Sequence, residues 1–148
     1  MASSLHPPVR DMTSSAKTAM PHPFAELLGF SVVSRGKGAS RLSLEVDQQH
    51  FNPYGRLHGA VLYALADTGM GGALTSVLEE GEFCTTLEIK INYFRPWKSG
   101  LLVCDTQMVY RGRTTAMLRS DLYDGEDRHL AQASGTFAIL SGEIPAAG

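Results

Sequence analysis

Between Leu57 and Leu78 the chain carries a single formal charge, Asp67, in a run otherwise apolar enough to consider for a bilayer crossing. That run limits the available folds more than any other feature. A spanning helix is disfavoured, because Asp67 sits near its middle and glycines at 59, 69, 71 and 72 weaken it. A helix sheathed by sheet accommodates the same residues. Leucine, alanine and valine supply volume, and glycine permits close backbone approach. The spacing predicts a helix over Leu57–Leu78 with a bend or weakened centre at Gly71-Gly72 and a wet end at Glu79-Glu80-Gly81.

The flanking sequence reads as sheet. A short helical turn at Phe24–Gly29 precedes a strand at Phe30–Val33, which a turn at Arg35-Gly36-Lys37-Gly38 pairs with Ser40–Asp47. In the latter, Leu42, Leu44 and Val46 alternate with Ser43, Glu45 and Asp47. Past the helix, Leu87, Ile89, Ile91 and Tyr93 are predicted to share one strand face, opposite Glu88, Lys90, Asn92 and Phe94. Further strands are predicted at Leu101–Tyr110, Thr114–Tyr123 and His129–Leu140, with a turn at Asp124-Gly125. The class is α+β: one antiparallel layer burying its apolar face on the long helix. Its open edges predict a dimer with a sheet continuous across the interface.

At 148 residues the chain fits one domain. Thirteen Lys and Arg against fifteen Asp and Glu give a formal charge of −2, which argues against a nucleic-acid footprint. Cys84 and Cys104 make no disulfide framework, and the dispersed histidines show no metal-ligand spacing. The segment 1–23, rich in Ser, Pro, Thr and Ala, is expected to be flexible and lacks a secretory apolar stretch. The domain is expected over 24–140, with a tail at 141–148. A cytoplasmic location is expected, with no membrane partner.

The chemistry concentrates in Phe51-Asn52-Pro53-Tyr54-Gly55-Arg56-Leu57-His58-Gly59-Ala60, between a strand and a helix start. First-turn amides lack intrahelical acceptors, so the Gly59 N–H can stabilise an oxyanion. His58 can orient that loop, contact a carbonyl or simply be a hydrogen-bonded loop residue; Asn52 equally fits a turn or cap. Asp67 lies nine residues beyond His58, about 13 Å along a helix and half-way around it. One chain cannot easily bring both to one small substrate, whereas antiparallel helices from two chains can. A carboxylate inside an apolar helix is costly without a partner, which favours function over a structural role. Thr85 and Thr86 offer hydroxyls, though threonine is also a good strand residue. Arg111-Gly112-Arg113-Thr114 can grip phosphate or form a charge-capped hairpin. Tyr54, Tyr63, Phe94 and Trp97 are candidate pocket walls or core residues. No Walker loop, dinucleotide fingerprint or Gly-x-Ser-x-Gly elbow occurs.

Asn52 to Asp67 (NPYGRLHGAVLYALAD), with TTLEIKINYFRPWKSG, YRGR and ASGTFAIL, resembles the PaaI-like branch of the hotdog-fold acyl-CoA thioesterases. The resemblance covers about Phe24 to Leu140. It implies a long helix wrapped by antiparallel sheet, paired into homodimers that often join as homotetramers. It further implies catalytic Asn52, an oxyanion-binding His58-Gly59, a carboxylate at Asp67 and an assisting hydroxyl at Thr86, with Thr85 as the neighbouring alternative. Arg111, Gly112, Arg113 and Thr114 would lie near the coenzyme A portion of an acyl-CoA substrate. No cofactor or metal is implied. The family's common second glycine after the histidine is Ala60 here, and Asp67 stands where related aromatic thioesterases carry a glutamate. The implied reaction is hydrolysis to a carboxylic acid and coenzyme A, with aromatic or short- to medium-chain acyl groups as candidates. The alternatives are a hotdog dehydratase or hydratase and a non-catalytic acyl-CoA binding protein.

Overall fold

The computed structural model describes residues 21–144 and 146. Chain order is α1 (Pro23–Leu28), β1 (Phe30–Gly36), β2 (Ala39–Val46), a 3₁₀ turn at Gln48–His50, α2 (Gly59–Thr75), β3 (Glu82–Tyr93), β4 (Gly100–Arg111), β5 (Thr115–Asp124) and β6 (His129–Ser141). The strands form one antiparallel sheet in the order β1-β2-β4-β5-β6-β3, which leaves β1 and β3 as edges. Alternate residues point inward, as Leu42, Leu44 and Val46 do in β2 and Ala116, Leu118 and Leu122 in β5. α2 fills the hollow of the sheet. Its Leu65, Ala66, Met70, Ala73 and Leu74 are fully buried in one cluster with Leu102, Leu118, Leu122 and Leu130. Each such leucine contributes about 2 kcal/mol of apolar burial. This is the α+β hotdog architecture the sequence resembles.

Residues 1–20, most of the segment expected to be flexible, lie outside the described residues, as do 145, 147 and 148 of the expected tail. α2 is shorter than the apolar run that predicts it. Leu57 instead forms an isolated β-bridge with Phe51, and His58 caps the helix. At the other end Val77 and Leu78 turn back on Leu74 and Thr75 with tighter backbone bonds of 3.0 and 3.4 Å. The helix also runs unbroken through Gly71-Gly72. Both lie against neighbours, near Phe137 and Ser40, and packing overrides their low propensity. At 17 residues α2 is too short to span a bilayer, and no helix among the described residues is long and apolar enough to do so.

Three buried hydroxyls hold α2 on either side of Asp67. Ser40 Oγ donates to the Gly69 carbonyl at 2.7 Å, Ser120 Oγ reaches the Ala66 carbonyl at 3.5 Å, and Ser120 and Thr106 bond each other at 2.6 Å. Position 69 must be glycine for this approach, since a Cβ there would lie 2.6 Å from Thr106 Oγ1. Polar groups facing the sheet are therefore satisfied, and the helix is fixed in rotation as well as in depth.

The Asp124-Gly125 turn is likewise held from inside. Asp124, with a fully buried side chain, accepts the Glu126 and Arg128 amides at 2.9 Å each and Arg128 Nε at 2.7 Å. Arg128 in turn lies 5.0 Å over the Trp97 ring. Burial pushes the Asp124 carboxyl upward, but the amides and guanidinium outweigh it and hold the group below its ordinary 3.8. Its contribution to stability is therefore complete above the unfolded-state value and lost as pH falls through the lower folded one. Asp124→Asn sets an amide against the Arg128 donor, at an expected cost of about 2 kcal/mol at pH 7. Urea melts of both proteins at pH 7 and pH 3 check this. The stability gap should narrow at the lower pH, and an equal gap at both contradicts the assignment.

Candidate active site

The loop before α2 is shaped by its own polar groups. Asn52 Oδ1 accepts the Tyr54 and Arg56 amides at 2.9 and 3.2 Å, and the Asn52 backbone N–H donates to the Arg56 carbonyl at 2.7 Å. Gly55, in the left-handed region at φ +68°, closes the turn. The Asn52 side-chain oxygen thus organises the loop, the plainer of its two anticipated roles. His58 serves as the helix N-cap. Its Nδ1 accepts the Ala60 amide at 3.0 Å while its backbone N–H donates to the buried His50 carbonyl at 2.8 Å. With Nδ1 accepting, the neutral ring carries its proton on Nε2.

Gly59 follows at the first helical position, where its amide has no acceptor within the helix. Its carbonyl accepts the Tyr93 hydroxyl at 2.8 Å. The Tyr93 ring lies so close that a Cβ at position 59 would meet it at 3.0–3.2 Å. Beside Gly59 opens a cavity of about 360 Å³, walled by Leu57, Leu62 and the aromatic Tyr93, Phe94 and Trp97. Tyr54, a candidate wall, is 87% exposed and does not line it.

Asp67 lies eight residues further along α2, about 12 Å from Gly59 by helical rise, and outside that cavity's lining. It is half-buried, and its Oδ1 accepts the Thr86 hydroxyl at 2.8 Å. Thr86, rather than Thr85, is therefore the hydroxyl on the carboxylate. A β-bulge decides this. Thr86 pairs with Phe137 and Glu88 with Thr136, which leaves Leu87 unpaired between them. The extra residue reverses strand parity, so Thr86 faces the helix together with Ile89, Ile91 and Tyr93. The predicted alternation had placed Leu87 on that face. Leu87 is instead 58% exposed.

Near Asp67, Cys84 approaches Thr75 Oγ1 at 3.8 Å. Burial pushes its thiol up, Thr75 opposes this, and the Asp67 charge raises it further. Such a thiol stays protonated at neutral pH and is a poor nucleophile.

The Arg111–Thr114 turn lies at the opposite end of α2 from Gly59. Arg111 is not a free phosphate ligand: it donates to the Val77 carbonyl at 3.1 Å and to Glu82 Oε2 at 2.7 Å. A cation just past the C-terminus of α2 is favourable there, and the pair with Glu82 ties β4 to the start of β3. Of the two anticipated readings of this turn, Arg111 follows the charge-capped one, while Arg113 projects as an exposed side chain beside exposed Thr114. The Gly112 amide closes the hairpin onto the Thr115 carbonyl at 2.8 Å.

Within one chain the anticipated catalytic residues therefore form two groups. Asn52, His58 and Gly59 sit at the start of α2, and Asp67 and Thr86 sit at its middle. Tyr93 was missed as a site residue. Alternation places it inward, but no local spacing reveals that it meets Gly59.

Comparison with known proteins matches residues 54–131 to the family described as the thioesterase superfamily. A conserved protein of Pseudomonas aeruginosa is 32% identical, with a TM-score of 0.79 over 85% of this chain and 100% of its own. A variant of the phenylacetic acid degradation protein PaaI from Thermus thermophilus is 30% identical, with a TM-score of 0.73 over 79% of this chain and 98% of that one. The 1,4-dihydroxy-2-naphthoyl-CoA hydrolase of Listeria monocytogenes is 27% identical over 77% of this chain and 93% of its own length. The matched stretch includes both the helix start and Asp67, and the chain belongs to the thioesterase superfamily, in its PaaI-like hotdog branch.

Proposed function

We propose that hydrolysis takes place at sites shared by two protomers, each joining the Gly59 amide of one chain to Asp67 of the other. One observation carries this reading: Thr86 fixes Asp67 mid-helix, while the unpaired helix-start amide lies about 12 Å away on the same rod. Two antiparallel copies of α2 remove the separation. Pairing along the long open edge of β3 gives such a homodimer and a continuous sheet. The same two-fold brings Arg113 and Thr114 of one chain to the Gly59 end of its partner, where the coenzyme A portion would lie.

In this arrangement the thioester oxygen lies on the Gly59 N–H, where developing negative charge meets a fixed dipole at a helix N-terminus. Asp67 takes a proton from water as it attacks, or itself attacks to form an anhydride that water then opens. Thr86 holds the carboxylate for either route. The carbon–sulfur bond breaks, and coenzyme A leaves as a thiolate whose pKa near 8.5 makes a strong dedicated acid unnecessary. Asn52 and His58 hold the loop and the first helical turn. The aromatic wall of Tyr93, Phe94 and Trp97 favours an aromatic or short- to medium-chain acyl group. The Listeria relative, named for a bicyclic aromatic acyl-CoA, supports the aromatic choice.

Free-thiol release and product analysis across aromatic and aliphatic acyl-CoA esters test the chemistry. Release of acid and thiol supports hydrolysis. An altered acyl chain still joined to coenzyme A identifies a dehydratase or hydratase, and binding without product identifies a carrier. Purified mixed dimers of His58→Ala and Asp67→Asn chains test the sharing. One site then carries both lesions and the other neither, so turnover should recover to about half the wild-type value. Sites contained within single chains would leave every site damaged and the mixed dimer as slow as its parents.

A further inference from the structure

We propose that Tyr93 is a positioning residue for the oxyanion-binding amide, a role that rests on the assignment of the Gly59 N–H to the substrate oxygen. Two successive peptide planes at the start of α2 are fixed by named bonds. In the Gly59–Ala60 unit, the carbonyl accepts the Tyr93 hydroxyl at 2.8 Å and the N–H donates to His58 Nδ1 at 3.0 Å. In the His58–Gly59 unit, the carbonyl accepts the Val61 amide at 3.0 Å. The remaining polar atom of the two planes is the Gly59 N–H, and Gly59 lines the cavity.

His58 is local to this turn, but Tyr93 comes from the far end of β3. It is thus a tertiary restraint on the helix end, added to the His58 N–H bond to the His50 carbonyl, where first-turn groups have few partners of their own. The ring adds a second restraint by lying against Gly59. Burial and neighbouring Tyr63 push the phenol above its ordinary 10, so it stays protonated as a donor throughout the neutral range. A hydrogen-bond donor helps a developing oxyanion only if its direction is set beforehand. Tyr93 holds the adjoining Gly59–Ala60 plane, and through the shared Gly59 Cα restrains that direction, from the strand that also carries Thr86, the partner of Asp67.

Tyr93→Phe removes the hydroxyl and keeps the ring, so the packing against Gly59 survives. Its kcat should fall about tenfold with KM within about twofold, less than the loss of an oxyanion donor itself because the amide is misdirected rather than absent. The second readout is the infrared band of a ¹³C-labelled ketone in the phenacyl thioether of coenzyme A, which cannot be hydrolysed. On binding wild type the band should move to lower frequency, and on binding Tyr93→Phe part of that shift should be lost. A full shift and full kcat in the variant overturn the role of Tyr93 while leaving Gly59 in place. No shift in the wild-type complex overturns the Gly59 assignment and this proposal with it. A lower kcat accompanied by a raised KM, reduced melting temperature and an unchanged band marks a merely structural tyrosine and likewise overturns it.

Discussion

Asp67→Asn is expected to lower kcat for acyl-CoA hydrolysis about 10³-fold while leaving assembly and melting temperature close to wild type. The substitution is nearly isosteric. An asparagine carbonyl oxygen can still accept the Thr86 hydroxyl that Asp67 Oδ1 accepts at 2.8 Å, so the side chain keeps its place on the helix. What disappears is the negative charge that either draws the proton from water or forms the new bond to the acyl carbon. KM should change little, since the carboxylate acts on the reacting centre rather than on the bulk of the ligand. Steady-state thiol release, normalised to folded dimer, gives the answer. Undiminished turnover would remove Asp67 from the chemistry and end the shared-site reading.

Gly59→Ala should separate activity from stability. Alanine is the better helix former by about 1 kcal/mol, and nothing in the backbone conformation at this position demands glycine. Stability alone would therefore favour the substitution. Yet the new methyl would lie 3.0 Å from Cζ and 3.1 Å from the hydroxyl oxygen of Tyr93. Either the ring moves or the first helical turn tilts, and both redirect the amide beside the cavity. A fall in kcat of about 10²-fold is expected, with a melting temperature unchanged or only slightly lowered. Thermal melts and kinetics on one preparation decide it. Equal losses of stability and activity would reduce Gly59 to a packing residue.

The long helix and the alternating strands were legible because their signals are local: a nearly uncharged apolar run, period-two burial and turn residues. Asp67 was legible for the same reason, as the one charge where none is comfortable. The limits of the helix were harder to read. Leu57 and Val77 continue the apolar run, but a β-bridge and a histidine cap end the helix at one side and tighter turns end it at the other. Arg111 and Arg113 look alike in sequence, and only the third dimension ties the first to Val77 and Glu82. Choosing Thr86 over Thr85 required the bulge at Leu87, which no residue preference announces. Leu87 is an ordinary strand residue, and its alternation with Ile89, Ile91 and Tyr93 argues smoothly for placing it on the inner face, where only the other three belong. Tyr93 was invisible as a partner of Gly59 because 34 residues separate them.

The unpaired Leu87 also governs how this strand can drift in length. Thr86 and Tyr93 both face the helix only because one surplus residue offsets their odd separation. Inserting one position between them beside the retained bulge would turn one of the two hydroxyls to solvent, whereas deleting the surplus residue leaves an even separation of six and a regular strand that still faces both inward. While the bulge is kept, changes by pairs preserve both orientations, so a change of one residue is tolerated only when it removes this irregularity or adds another.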